Sequence, residues 1–455
     1  MSDTPTLWTA RRVRELTVLL GLFTLAFAVW PVYRAFLIPD ISVNEPWNAY
    51  FADAAISGQK LYPARDQLIT NNYPPLSYYL VGATGRLLGD TILAGRLLSI
   101  AAIAWMAWVA ARLVRFWGGD TLAGWIGGLF CASSLLRFFP GYAGMNDPQL
   151  LAQAVMASGF LGFLKAIRID RAYLLPLFAM VLAGFIKHNI VVMPLVAFAW
   201  LACERPRRLL PLAAASAGIV AAGFALCHIA YGTDFWMNMK SPRSYRWGLA
   251  IDALAMLQWP IVGLVVWLYV GVTLRKRPAV RFCNLWVGVG LGMFLIQKAS
   301  EGVAENAMFD LLLALSVASG VAFTHACEVP LARIYPATRL QSGVVIAFLV
   351  RLATAPGNEA VRLAFDPVFR GEIARREGAM RASVAKVRGT PGEVLTAAAV
   401  SYRAGKPFVV DMFNFQQRVK AGQFPATILD DLVAEGRLTR VVPDPLHAWC
   451  NPLEP

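Results

Sequence analysis

Two carboxylates standing where apolar runs give way to loops, and a lysine that interrupts a third apolar stretch, are the residues here best suited to chemistry. Glu45 lies just beyond the first apolar run, and Asp147 lies beyond the third. Each has a plain structural use. Glu45 ahead of Pro46 favours the positive end of the following helix, and Asp147 before Pro148 is an ordinary N-cap arrangement. Each also suits catalysis or substrate contact at the rim of a membrane-level cavity. Lys187 falls inside an apolar stretch as Lys187-His188-Asn189. A lysine there is expensive unless it pairs, meets an anion or snorkels, and we expect it to bind phosphate.

Arg243 and Arg246 sit among Trp236, Tyr245 and Trp247. Interfacial anchoring explains the aromatics, while the arginines suit the oxygens of a phosphate or an anionic sugar. Glu305 and Asn306 precede a late apolar run, with Lys298 and Glu301 nearby as an i,i+3 pair. Asp310 lies one turn inside that run, where burial favours a functional role. His188 suits a hydrogen-bonded interface position better than a metal ligand, and Asp411 suits a turn. No P-loop, GxSxG, HExxH or dinucleotide fingerprint occurs where it would matter.

These groups must be held by helices that cross a bilayer. Hydrophobic residues make up 57% of the 455 residues and charged ones 15%, against roughly a quarter charged in soluble domains. Apolar runs recur at the length of about 20 residues that crosses a hydrocarbon core. The net charge of +14 is gathered in short tracts such as Arg11–Arg14, Arg205–Arg208 and Arg275–Arg281. That distribution follows the positive-inside rule and argues against nucleic acid as a partner. Five of the six cysteines lie in or beside apolar runs and only Cys450 is in a polar one, so neither a disulfide framework nor a zinc site is expected.

Counting charges gives about eleven spans, with the N-terminus in the cytoplasm and the C-terminus outside. The stretch 172–203 divides into two short helices around Lys187, and 249–274 reads as one span. The first external loop, 38–89, should hold two short helices lying in the interface, 46–57 (amphipathic) and 75–89. Residues 1–353 form the membrane domain. From 354 to 455 charge density rises, and Val394–Val400, Phe408–Asp411 and Thr439–Val442 read as strands with helices at Phe415–Ala421 and Thr427–Glu435. That is a small external α/β domain.

The order of several motifs resembles the GT-C superfamily of glycosyltransferases, in particular bacterial relatives of protein O-mannosyltransferases and the lipid A aminoarabinose transferase. They are Asn44-Glu45, Ala55…Gly58…Tyr62, Tyr73-Pro74-Pro75-Leu76…Tyr79, Gly89…Arg96-Leu97-Leu98-Ser99, Asp147 and Gly184-Phe185-Ile186-Lys187. The tail is similar to one bacterial branch through Ala404-Gly405-Lys406-Pro407, Val410-Asp411 and Phe413…Phe415.

The resemblance implies a GT-C fold and inverting transfer of a hexose or pentose from a polyprenyl-phosphate donor. The acceptor would be a hydroxyl of a glycan, lipid or protein outside the cytoplasmic (inner) membrane of a bacterium. It implies Glu45 as base with Asp147 supporting the acceptor or a metal. Asn44, Tyr73, Lys187, His188, Arg243, Arg246, Glu305 and Asn306 would contact substrate. A divalent metal is left open, with no motif of its own. The family's acidic pair begins with Asp where this chain has Asn44, which keeps a non-catalytic relative that binds lipid-linked sugar in view. A transporter or flippase of a lipid-linked substrate is the rival class. It would show mid-bilayer charge and repeated halves, whereas this chain concentrates polarity in loops.

Overall fold

The structure is a computed structural model and describes residues 10–447. The membrane part runs α1 (Ala10–Ala35), α2 (Asn44–Ser57), α3 (Leu76–Leu88), α4 (Thr91–Phe116), α5 (Thr121–Phe138), α6 (Gln149–Ile169), α7 (Leu174–Ile186), α8 (Val192–Glu204), α9 (Pro206–Met239), α10 (Trp247–Asp252), α11 (Ile261–Thr273), α12 (Pro278–Lys298), α13 (Phe309–Thr324) and α14 (Ala337–Thr354). The tail adds α15 (Glu359–Phe365), α16 (Pro367–Gly389), β1 (Val394–Leu395), α17 (Ala398–Arg403), α18 (Met412–Lys420), α19 (Ile428–Ala434) and β2 (Thr439–Arg440).

Among the described residues, eight helices are long and apolar enough to cross a membrane, and nine if one bent pair counts as a span. The chain is a multi-pass membrane protein. The expected eleven segments are all helical at their expected places, but three differ from full spans. α7 and α8 have 13 residues each, about 20 Å at 1.5 Å per residue, short of a core of about 30 Å. The segment expected as one span at 249–274 is broken, with Trp247–Gln258 and Ile261–Thr273 bent by 90°. Pro260 stands at the break, lacks an amide hydrogen and disfavours helix in the residue before it.

α5 and α13 form the centre of the bundle. α13 is buried along nearly its whole length, and Gly127 and Gly320 let it approach α5 and α4 closely. α1 and α9 lie outside, turning Leu22, Leu25, Leu226 and Ile229 outward; such an apolar outer surface suits lipid.

The basic tracts meet at one end. Arg168 donates to the Phe116 carbonyl at 2.8 Å, Arg208 pairs with Asp170 at 3.0 Å, and Arg281 pairs with Glu204 at 3.1 Å. Glu45, Asp147 and Lys187 lie at the other end, since Asp147 opens α6 and Asp170 closes it.

At that second end, α2 differs from the expected interfacial amphipathic helix. Trp47, Asn48, Phe51 and Ala52 are buried around it, and an added Cβ on Gly82 of α3 would lie 2.4 Å from the Ala52 carbonyl oxygen. α2 is a buried strut, while α3 keeps Tyr79, Leu80, Leu87 and Leu88 exposed.

The tail is more helical than expected. β1 and β2 are two residues each and pair in parallel, Val394 opposite Thr439 and Leu395 opposite Arg440. Residues 408–411 join no sheet, and α17 begins at Ala398 inside the expected first strand. The turn at Gly405 lets the Ser401 hydroxyl donate to the Pro407 carbonyl at 3.1 Å, so the segment closes on itself. The tail also packs on the membrane part: Ile38 joins its core around Met380 and Val400, and Leu68 joins that around Phe415. Cys450 lies outside the described residues.

Candidate functional site

The local sequence explains how Asp147 and Lys187 come together. Asp147 closes a turn through its amide to the Met145 carbonyl, and its Oδ1 accepts from the Gln149 amide at 2.8 Å. The capping use is therefore met. α7 ends at Ile186, and Lys187 leaves the helix with extended backbone. Its Nζ lies 3.3 Å from both Asp147 oxygens and 3.6 Å from the centre of the Tyr73 ring. All three residues meet in one place. Lys187 is buried, not snorkelling. Burial pulls its pKa down, but Asp147 and Tyr73 outweigh that and leave it above the ordinary lysine value.

His188 stands beside Tyr73, with ring centroids 6.2 Å apart. Burial first, then the charges of Lys187 and Arg243, push it down to about 4. It is neutral at pH 7 and adds no positive charge. Arg243 lies over the Phe413 ring at 4.6 Å, and burial lowers its pKa. Asp411, expected in a turn, is the N-cap of α18 and accepts from the Asn414 amide at 3.2 Å. Burial raises it, and the opposing pull of Arg243 marks it as that residue's electrostatic neighbour. Arg243 thus stands near Tyr73 from the α9–α10 loop, and Asp411 of the tail stands near Arg243. The residue order alone carried no sign that Asp411 would come near Arg243.

Other expected residues sit elsewhere. Arg246 pairs with Glu301 at 3.2 Å, and Lys420 reaches the same carboxylate at 2.7 Å, so these charges fasten α18 to the bundle. Asn306 is buried and donates to Gln149 at 3.0 Å, one helical position beyond Pro148. Glu305 is exposed nearby. Asn44 is half-buried, and its amide donates to the Ser42 hydroxyl at 3.4 Å.

Glu45 departs most from expectation. It is 0% exposed and grips Arg96, itself 1% exposed. Arg96 Nε donates to Oε1 at 2.9 Å and Nη2 to Oε2 at 2.6 Å. The Asn146 amide donates to Oε1 at 2.9 Å, and the Ile41 amide to Oε2 at 2.7 Å. A carboxylate has about four acceptor sites, and all are taken. No lone pair remains for an acceptor hydroxyl, so the geometry gives Glu45 a holding role in place of the expected base. Arg96 also binds the carbonyls of Leu37 at 2.7 Å and Pro39 at 2.9 Å, which fixes the α1–α2 loop. Through the Asn146 amide, the residue beside Asp147 is fixed too. Nothing in the spacing announced this pairing, although the Gly89…Arg96 pattern of the resemblance contains Arg96.

No group of three or more His, Cys, Asp or Glu able to hold a metal occurs among the described residues.

No family model matches the chain, and no curated protein matches it by sequence. Solved structures do. ArnT from Cupriavidus metallidurans in the apo state superposes with a TM-score of 0.58 at 14% identity, covering 93% of this chain and 92% of that one. The same enzyme bound to undecaprenyl phosphate gives 0.59 at 16%, covering 90% and 89%. The oligosaccharyltransferase of Archaeoglobus fulgidus in the apo form gives 0.53 at 12%, covering 91% of this chain and 66% of that one. The likeness extends over nearly the full length, and the chain has the GT-C fold.

Proposed function

We propose that this chain moves one sugar from a polyprenyl-phosphate donor to an acceptor hydroxyl, working at the end of the bundle that carries Asp147 and Lys187. The observation that carries the reading is the buried Asp147–Lys187–Tyr73 group with Arg243 beside it, in a fold shared with a protein solved with undecaprenyl phosphate bound. The basic tracts at the opposite end support, by the positive-inside rule, a cytoplasmic position for that end and an extracytoplasmic one at a bacterial inner membrane for the group and the tail.

In the resting protein Asp147 neutralises Lys187. A donor phosphate entering the site competes for the ammonium and, with Arg243, receives charge-assisted hydrogen bonds. Loosened from Lys187, Asp147 accepts the proton of the acceptor hydroxyl. The hydroxyl oxygen bonds to the anomeric carbon as the carbon–oxygen bond to phosphate breaks, and the electron pair leaves with the polyprenyl phosphate. Lys187 and Arg243 stabilise the charge that develops there. Attack opposite the leaving group inverts the sugar carbon. The role assigned to Glu45 in the sequence reading thus passes to Asp147, and Glu45 keeps its loop in place. Asn44 takes no part in the proton transfer.

The test is the purified protein in vesicles with a radiolabelled polyprenyl-phosphate sugar and an envelope extract as acceptor source. Label appearing in acceptor, with release of polyprenyl phosphate, supports transfer. Saturable lipid binding with no release overturns it in favour of a non-catalytic lipid-binding protein.

A further inference from the structure

A cavity lies between the α2–α3 loop, the end of α9 and the tail. Its volume is about 230 Å³, several times the ~30 Å³ share of one water in the liquid. Arg65, Lys240 and Arg418 line it together with Thr70, Ser241 and Gln423, and no carboxylate does.

Three features of this lining go together. Arg65 and Lys240 are exposed and form no ion pair among the described residues. Arg418 is buried, and the nearby charge of Arg65 adds to burial in lowering its pKa. Arg65 and Arg418 thus line one cavity that no carboxylate lines, an arrangement that an anion favours. Finally, the Thr70 and Ser241 hydroxyls are buried and make no hydrogen bond within the protein. Orphaned buried hydroxyls cost about 1–3 kcal/mol each and call for a partner.

The walls are built to last. Arg418 donates to the Gln67 carbonyl at 2.8 Å and to Gln423 at 3.1 Å, and also to the Arg65 carbonyl, so the tail fixes the Arg65 loop. Asn238 accepts from the Asn71 amide at 2.8 Å and donates to the Pro63 carbonyl at 2.8 Å. The cavity is therefore set between the α2–α3 loop, the end of α9 and the tail. Two of its walls continue straight into the candidate site: Thr70 precedes Tyr73 by three residues, and Ser241 precedes Arg243 by two.

We propose that this cavity is a separate subsite for an anionic group, a phosphomonoester, carried by the acceptor at a position other than the reacting hydroxyl. This rests on the transferase reading for its purpose, but not for its chemistry. Arg65 and Lys240 supply the charge, and Arg418 a fixed guanidinium. The charged acceptor would then be selected at a place distinct from the donor phosphate at Lys187.

The test uses full-length protein in detergent and the charge-neutral double variant Arg65→Gln/Lys240→Gln, whose side chains are exposed and whose fold is checked by thermal unfolding. Glycerol 3-phosphate is titrated calorimetrically, and vesicles of phosphatidylcholine with one-fifth phosphatidic acid provide a lipid-borne phosphomonoester. The expected result is a tenfold or greater loss of affinity in the double variant, with Lys187→Gln retaining this binding. Loss seen with glycerol 3-phosphate assigns a soluble or glycan-borne phosphate, and loss seen only with the vesicles assigns a lipid headgroup. Equal affinity of wild type and double variant for both probes overturns the proposal. If binding falls as expected but sugar transfer is never observed, the anion site stands and the transferase reading falls. Transfer that is intact and unaffected by the double variant, together with unchanged binding, removes the subsite alone.

Discussion

Replacing Arg96 by methionine removes the guanidinium that holds Glu45 and four carbonyls of the α1–α2 connection, and the effect can be worked from the contacts. Glu45 would keep only the Ile41 and Asn146 amides while remaining buried. Breaking a buried pair by deleting one partner costs about 3–5 kcal/mol. The Leu37 and Pro39 carbonyls, now held at 2.7 and 2.9 Å, lose their donors at about 1–3 kcal/mol each where water does not reach them. The loss is at least about 5 kcal/mol, as large as the whole stability of many domains. Arg96→Met should therefore fail to accumulate as folded protein. Glu45→Gln keeps the shape but leaves the arginine uncompensated, and should lose about 3 kcal/mol, lowering Tm by roughly 6–12 °C. The double variant Glu45→Leu/Arg96→Met removes both charges and should recover most of the Arg96→Met loss, because apolar replacement of a whole buried pair is often near neutral. The assay is thermal unfolding in detergent followed by tryptophan fluorescence, with transfer activity per folded molecule measured alongside. A Glu45→Gln variant with wild-type Tm and no activity would refute the holding role and return Glu45 to the chemistry.

Other consequences are equally direct. Burial, with Glu45 adding to it, raises Asp40 to about 7; an acid raised on folding favours the fold at low pH and loses that advantage as pH rises from its ordinary value to about 7. Asp40→Asn should accordingly raise Tm at pH 8, by up to about 4 kcal/mol of stability, and leave it unchanged near pH 3; an equal gain at both pH values would count against the buried carboxyl. His188, pushed down to about 4, opposes folding as pH falls below its ordinary range, so His188→Gln should flatten the loss of Tm between pH 6.5 and 4 and leave the value at pH 7.5 alone. Gly82→Ala would place a methyl 2.4 Å from the Ala52 carbonyl oxygen; overpacking of this kind costs about 1–3 kcal/mol, visible as a lowered Tm, whereas Gly184→Ala meets open space and should be silent.

Much of this architecture was legible because the bilayer constrains the sequence so strongly. Apolar length and basic tracts located the eleven expected helical segments of the membrane part, and Arg168, Arg208 and Arg281 do gather at one end. What charge counting missed was geometry within a segment. Hydropathy alone does not register that Pro260 turns one apolar run through 90°, whereas the two short helices flanking Lys187 were legible because polar residues interrupt a stretch too long for one span. α2 read as an interfacial helix because its alternation of polar and apolar residues is compatible with a water–lipid boundary. Its polar members instead meet buried partners, Asn48 donating to the Asn146 carbonyl at 2.8 Å and Asp53 accepting from Thr91 and Tyr402.

The site divides in the same way. Lys187 stood out because an ammonium in an apolar run demands a partner, and Asp147 is that partner. Glu45 looked equally chemical by position, yet its role depends on Arg96, 51 residues away. Asp411 depends on contact between the tail and the bundle, which local pattern does not encode. Of the expected strands at 394–400 and 439–442 only the first two residues of each pair, and 408–411 finds no sheet to join.

The most direct measurement is single-turnover sugar transfer by vesicle-reconstituted protein carrying Asp147→Asn or Lys187→Gln, with donor binding recorded on the same samples. If Asp147 takes the acceptor proton and Lys187 holds the donor phosphate, Asp147→Asn should bind donor normally and lose about 10²–10⁴-fold in transfer rate, while Lys187→Gln should lose donor affinity as well. Folded variants that both transfer sugar at the wild-type rate would contradict the proposed site outright.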